Sequence, residues 1–320
     1  MTKLRCAVLD DYQDAALRVT DWSPVTDAVE VRILRQHLDR EDDVVAAIGD
    51  CEIVVIMRER TPFGASLLAR LPNLKLLITT GMRNASIDTE AAKARGVVVC
   101  GTASSSEPPT ELTWALILGL ARSITVESRA MQEGGPWQST IGADLHGKQL
   151  GLLGLGKIGA RVARIGLAFG MKVVAWSQNL TREKAEAEGV QLAASKDELL
   201  EQSDFVSIHL VLGARTRGLV GRAELERMRR SAYLINTSRA QIVDQAALVE
   251  ALQNGWIAGA GIDVFEVEPL PEGHVLRTLP NVLATPHLGY VTRRNYEVYY
   301  REAVEDIKAF LAGAPVRRLS

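Results

Sequence analysis

Short apolar runs alternate with longer amphipathic stretches through the first hundred residues. Arg5 to Leu9, Val29 to Leu34, Glu52 to Met57, Lys75 to Thr79 and Val97 to Cys100 are compact and rich in β-branched residues, the pattern of strands in a sheet covered on both faces. Between them, Arg40 to Ile48 and Asp88 to Ala94 carry apolar residues at helical spacing, the second closed by Arg95-Gly96 as a C-cap signal. A second series begins near residue 149, with Gln149 to Leu153, Lys172 to Trp176, Asp204 to Leu210, Tyr233 to Asn236, Ile257 to Ile262 and Asn281 to Ala284 as strands. In the helix Asp244 to Gln253, Asp244 is the N-cap, Ala247, Leu248, Ala251 and Leu252 form one stripe, and Asn254-Gly255 stops it. The order predicts an α/β protein with two doubly wound parallel sheets, and two lobes imply a cleft.

The Ser- and Thr-rich stretch Gly101 to Glu107 separates the two series, and Pro108-Pro109 pre-sets the first turn of the helix Glu111 to Arg122. The helical stretch Arg293 to Ala312 follows the last strand of the second sheet. Its return to the first lobe gives a discontinuous domain, 1–101 with 291–320, around a second domain at 102–290. The two halves share architecture rather than wording.

Composition narrows the function. The 320 residues suit two domains, and 47% hydrophobic with 24% charged residues suits a globular protein with a buried core. A net charge of −2, both signs scattered, supplies no basic field for nucleic acid or an anionic membrane, so the expected partner is a small molecule. Cys6, Cys51 and Cys100 share no metal-binding spacing, which predicts buried reduced thiols and no metal. The apolar start is shorter than a signal-peptide core and no window reaches about 18 apolar residues, so a cytoplasmic location is expected.

Residues 149 to 159 read Gln-Leu-Gly-Leu-Leu-Gly-Leu-Gly-Lys-Ile-Gly, a strand running into Gly154-x-Gly156-x-x-Gly159 and then the helix Lys157 to Phe169. The first glycine permits the tight turn, the second lets backbone approach a pyrophosphate, and the third lets helix and strand pack closely. Amides of Lys157 and Ile158 at the positive end of the helix suit a diphosphate. At the end of the next strand, where an NAD site offers Asp or Glu to the ribose, the sequence has Trp176-Ser177-Gln178-Asn179. NAD is the expected cofactor. The missing carboxylate and the nearby Arg182 leave NADP open.

Three polar sites follow late strands of the second sheet: Asn236-Thr237-Ser238-Arg239, Asp263-Val264-Phe265-Glu266-Val267-Glu268-Pro269, and Thr285-Pro286-His287-Leu288-Gly289. Moving a hydride to or from an alcohol carbon needs a group that handles the hydroxyl proton near neutral pH, and His287, oriented by Glu268, is the best placed histidine. Arg239 can bind a carboxylate in a fork while polarising the carbonyl oxygen that gains charge. Singly, Arg239 reads better as a surface ion-pair residue, Glu268 as a solvated loop acid and His287 as a loop cap; together, after successive strands, they point to chemistry.

These segments resemble those of the D-isomer-specific 2-hydroxyacid dehydrogenases over nearly the whole chain. The resemblance implies a Rossmann dinucleotide-binding domain, a flavodoxin-like substrate domain, and hydride transfer between a nicotinamide and a small D-2-hydroxy or 2-keto acid. It assigns Arg239, Glu268 and His287 to catalysis and Asp263 to the nicotinamide amide. Gly154, Gly156, Lys157, Ile158, Gly159, Ser177, Thr237, Ser238, Arg239, His287 and Gly289 complete the implied cofactor site. Thr79-Thr80-Gly81-Met82-Arg83-Asn84 resembles the loop whose amides hold the substrate carboxylate, which assigns Gly81, Met82 and Arg83 to the substrate beside Arg239 and His287. A homodimer is also implied, with Gly134-Gly135-Pro136-Trp137 matching its arm. The chain departs from the family pattern at Ser177, Ala240 and Tyr290.

Arg58 and Arg60 are open to two readings, a seat for a second acidic group such as phosphate or a self-paired surface around Glu59. Glu268, where formate dehydrogenases use glutamine, argues against formate. A different class, a NAD(H)-sensing co-repressor-like protein on the same scaffold, finds no peptide- or nucleic-acid-binding feature. Short-chain dehydrogenase chemistry would need a Tyr-x-x-x-Lys pair that Tyr296 to Tyr300 lacks.

Overall fold

The computed structural model describes residues 2–319. Two compact units form: one runs up to Ser105 and resumes at Val291, and the other is Ser106–Tyr290. In the first, β1 (Leu4–Val8), β2 (Val29–Ile33), β3 (Ile53–Ile56), β4 (Leu76–Thr79) and β5 (Val98–Gly101) lie parallel in the order β2-β1-β3-β4-β5. Every residue of β3 and β4 is buried, which is why these strands read as unbroken apolar runs.

Helices Glu41–Ile48, Ala65–Ala69 and Thr89–Ala94 contribute Val44, Ile48, Leu67, Leu68 and Ala92 to the core around Val54, Ile56 and Leu77. Removing each large aliphatic side chain from water contributes roughly 1.5–3 kcal/mol. The last helix, Arg293–Leu311, belongs to this unit and buries Tyr296, Tyr299, Tyr300, Ala303 and Ile307 along one face. Tyr300 meets Trp22 there with ring centroids 6.5 Å apart.

The second unit holds β6 (Gln149–Leu153), β7 (Lys172–Trp176), β8 (Gln191–Leu192), β9 (Phe205–Ile208), β10 (Tyr233–Asn236), β11 (Gly259–Ile262) and β12 (Val282–Ala284). All pair parallel in the order β12-β11-β10-β9-β6-β7-β8. The two-residue β8 at the edge is too short to leave a periodic signal, and the sequence reading passes over it. Helix Glu107–Ala121 begins four residues ahead of the expected start because Pro108 and Pro109 fit a first turn that needs no amide donors. Helix Ile124–Gln132 is likewise unanticipated: none of its residues is buried, so it carries no core-facing stripe.

The three cysteines are buried free thiols, as their apolar surroundings predict. No helix among the described residues is long and apolar enough to cross a membrane. For function, the decisive feature is the carboxyl edge of the seven-stranded sheet. There the chain leaves β6 for helices on one face and β9 for the other, and such a switch point opens a crevice between neighbouring loops.

Candidate active site

The glycine turn sits at this switch point. The Gly154 amide donates to the Trp176 carbonyl (2.9 Å) and the His209 amide to the Leu153 carbonyl (2.8 Å), tying the ends of β6, β7 and β9 together. Gly154 has φ +104°, and a Cβ there would lie 2.5 Å from the His209 carbonyl oxygen, so only glycine fits. A Cβ on Gly159 would collide with the Gly154 carbonyl, whereas one on Gly156 would meet nothing within 4 Å. The turn is therefore packed tight on its sheet side and open at its middle glycine. Helix Lys157–Ala168 begins there without a side-chain cap, leaving its first amides, including those of Lys157 and Ile158, aimed outward. Open space, exposed amides and a positive helix end fit a dinucleotide diphosphate.

Under the turn lies His209, absent from the sequence reading. Burial pushes its imidazole down to about 4, and its Nε2 lies 2.8 Å from Ser207 Oγ. It is a neutral structural histidine, and only the tertiary packing of its backbone against Gly154 makes it part of the site.

After β10, the Asn236 side chain folds the loop back on itself, accepting from the Ser238 amide (3.0 Å) and donating to the Arg239 carbonyl (3.0 Å). Ser238 Oγ donates to the Ile208 carbonyl (2.7 Å), and Thr237 Oγ1 lies 2.9 Å from Thr113 Oγ1 on helix Glu107–Ala121. Thr237 and Ser238 are thus anchored, and Arg239 projects half-buried from a fixed backbone, with one guanidinium nitrogen on the Ser238 carbonyl (2.8 Å).

After β11 and β12, two carboxylates shape the histidine loop. Fully buried Asp263 accepts from Thr285 Oγ1 (2.6 Å), the Leu288 amide (2.7 Å) and the Gly289 amide (2.9 Å). Burial raises its pKa, against the pull of these donors and of the nearby His287. His287 has φ +53°, a left-handed conformation that costs an ordinary residue about 1–2 kcal/mol. Three hydrogen bonds to a charged acceptor, each worth about 1.5–3 kcal/mol, offset that strain and aim the ring.

Glu268 accepts from the Phe265 amide at Oε1 (2.9 Å), and its Oε2 lies 2.6 Å from His287 Nδ1. An ionised carboxylate only accepts, so Nδ1 carries the proton in this pair, and Nε2 is the second ring nitrogen at which the imidazole can take up or give a proton. The pair is half-buried, with side chains 20% and 22% exposed, so that exchange is open to a ligand. Tyr290, singled out as a departure, is buried and packs edge-on against the imidazole, centroids 5.6 Å apart. It backs the ring.

The chain belongs to the D-isomer specific 2-hydroxyacid dehydrogenase family. The family profile described as its NAD binding domain matches residues 114–289, the span that carries all of these loops. A glyoxylate reductase of Aeropyrum pernix is 40% identical over 256 residues, covering 77% of this chain and 76% of that protein. A phosphoglycerate oxidoreductase of Vibrio cholerae O395 superposes with a TM-score of 0.92 at 37% identity, covering 97% of this chain and all of that one. D-lactate dehydrogenase of Aquifex aeolicus, solved with NAD and lactic acid, superposes at 0.78 with 29% identity and 96% coverage of both chains. This dehydrogenase uses NAD and acts on the CH–OH group of 2-hydroxy acids.

Elsewhere in the dehydrogenase, the first unit carries the other predicted loop. Gly81, at φ +96°, donates its amide to Thr102 Oγ1 (3.0 Å), and the Arg58 guanidinium lies across its face. The amides of Met82 and Arg83 meet no protein acceptor among the described residues, and both side chains are exposed. Arg58 is occupied within its own unit, donating to the Thr80 carbonyl (3.3 Å) with Glu59 at 3.8 Å, while Arg60 lies over the Tyr12 ring at 5.3 Å. Arg58 and Glu59 take the self-paired form of the two readings.

Proposed function

We propose that His287 is the acid–base group of this dehydrogenase, with Glu268 fixing its tautomer and Arg239 binding the carboxylate and carbonyl of a small 2-keto acid. The observation that carries this reading is the 2.6 Å pairing of Glu268 with His287 Nδ1, which leaves Nε2 as the one ring atom able to deliver a proton. A bound nicotinamide supplies the hydride in reduction and takes it in oxidation. His287 then gives a proton to the carbonyl oxygen in one direction and removes it from the hydroxyl in the other. Arg239 stabilises the oxygen as negative charge develops there.

Gly154, Gly156, Lys157, Ile158 and Gly159 hold the diphosphate, and Ser177 faces the ribose. Thr237, Ser238, Arg239, Asp263, His287 and Gly289 border the nicotinamide. An ionised carboxylate offers about four acceptor sites and Asp263 uses three, so it has capacity for one amide donor besides holding the histidine loop. In the first unit the open amides of Met82 and Arg83 suit a carboxylate; the Gly81 amide is taken by Thr102, so Gly81 contributes its turn. The unit up to Ser105 and from Val291 serves the substrate, and the other serves the cofactor.

The substrate we favour is a short unphosphorylated keto acid of glyoxylate or hydroxypyruvate size, because Arg58 is already engaged by Thr80 and Glu59. We further infer a homodimer built on the segment from Ile124 to Ile141, where Ile124, Val126, Met131, Trp137 and Ile141 are all exposed, and a cytoplasmic location. A purely NAD(H)-sensing role has no support among the relatives compared. A spectrophotometric screen of glyoxylate, hydroxypyruvate, pyruvate, phenylpyruvate and 3-phosphohydroxypyruvate with NADH tests the reading. Turnover of one of the first two is expected, and turnover of none refutes it.

A further inference from the structure

The ribose end of the cofactor site carries an arginine that the reaction does not use. β7 ends at Trp176, and the turn Ser177–Leu180 closes with the Leu180 amide on the Ser177 carbonyl (3.1 Å). No carboxylate occurs from Ser177 to Arg182. The first acid, Glu183, is committed to the start of its own helix, where its own backbone amide and the Thr181 hydroxyl hold its pKa below the usual carboxylate range. Ser177 is half-buried, and its hydroxyl has no partner among the described residues.

Facing this turn is the loop that follows β9. With its amide turned so that oxygen and nitrogen each meet a complementary group, Asn179 accepts from Nη2 of Arg215 (3.2 Å) and donates to the Gln178 carbonyl (3.3 Å). β6 lies between β7 and β9, so the Arg215–Asn179 contact spans the carboxyl end of β6, the end from which the glycine turn leaves. Arg215 is exposed and has no carboxylate partner among the described residues. A planar guanidinium bonded to the neutral amide of Asn179, in a turn that also carries the Ser177 hydroxyl and contains no carboxylate, suits a phosphate monoester.

Resting on the assignment of the glycine turn to the dinucleotide, we propose that Arg215 and Ser177 seat the 2′-phosphate of NADP(H), so that this chain accepts the phosphorylated cofactor beside NAD(H). Arg215 exchanges its bond to Asn179 for the phosphate, and Ser177 donates its hydroxyl. Neither residue takes part in hydride or proton transfer; both decide which dinucleotide is bound.

Calorimetric titration of the full chain with adenosine 2′,5′-bisphosphate and with 5′-AMP tests this without turnover. The wild type is expected to bind the bisphosphate at least tenfold more tightly, Arg215→Ala to erase most of that preference, and Arg215→Lys to retain part of it. In parallel, the ratio of kcat/KM for NADPH to that for NADH is expected to fall about 10- to 100-fold in Arg215→Ala, the loss of one charge-assisted contact, and further in Ser177→Asp. Equal wild-type affinity for the two nucleotides, or a preference that survives Arg215→Ala, overturns the proposal. NADH turnover without NADPH turnover does the same while leaving the proposed function standing, whereas loss of all dinucleotide binding removes the reading beneath both.

Discussion

Replacing Gly156 by alanine separates the fold from the function at the glycine turn. Its backbone, φ −83° and ψ −163°, is extended and open to any residue, and a Cβ there meets nothing within 4 Å. Gly→Ala at a compatible position stabilises by about 0.4–1 kcal/mol through the unfolded chain, a rise of roughly 1–4 °C in Tm for a domain of this size. The same methyl projects into the space through which a diphosphate reaches the helix amides, so NADH affinity is expected to fall at least about tenfold, or ~1.4 kcal/mol. Gly159→Ala supplies the contrast. Its Cβ collides with the Gly154 carbonyl, backbone that cannot swing aside, at a cost of about 1–3 kcal/mol, so stability and binding fall together. Thermal melts beside NADH fluorescence titrations of the two variants decide the matter. Wild-type NADH affinity in Gly156→Ala would refute the assignment of the turn, and unfolding of Gly156→Ala would refute the packing argument.

Other expectations follow from the same geometry. His287→Ala should lower kcat about 10²- to 10⁴-fold while NADH still binds, read from steady-state rates beside a titration; a loss under tenfold removes its proton-transfer role. Arg239→Ala should cost about 10²- to 10³-fold in kcat/KM for the keto acid, with Arg239→Lys recovering little because one ammonium cannot form a fork; wild-type-like kinetics in either variant contradict this. Asp263→Asn keeps the acceptor for Thr285 and Leu288 but turns an amide NH2 toward the Gly289 N–H, so we expect a loss of about 1–3 kcal/mol in chemical denaturation and a kcat drop larger than any change in NADH affinity. Were NADH affinity alone to fall, Asp263 would be a cofactor ligand and no more. Finally, burial pushes the Asp306 carboxyl up to about 7. Its folded pKa exceeds its unfolded one, so the stability it contributes is complete below about pH 4 and is lost as pH rises through 7, on the order of 4 kcal/mol. Asp306→Asn should flatten that decline between about pH 4 and 7, and parallel profiles for the two proteins would argue against it.

Local chemistry made much of this protein legible in its sequence. Runs such as Ile53–Ile56 and Leu76–Thr79 announce strands buried on both faces because nothing polar interrupts them. The spacing of Gly154, Gly156 and Gly159 announces a turn, and at Gly154 and Gly159 a Cβ would strike neighbouring backbone. Arg239, Glu268 and His287 stand out in the sequence because each follows a strand whose end the pattern locates. Segments without a buried stripe, such as Ile124–Gln132 and Gln191–Leu192, left no such trace.

Tertiary structure alone decided which atoms meet. Sequence gives Asp263 and His287 as residues 24 positions apart. Only the pairing of β11 with β12 turns the aspartate into the anchor that holds the histidine's left-handed backbone. Nothing local marks His209 as the floor beneath Gly154, or brings Arg215 across the end of β6 to Asn179. Periodicity is written in neighbours along the chain, whereas these contacts depend on strand order, which follows from how whole sheets bury their faces.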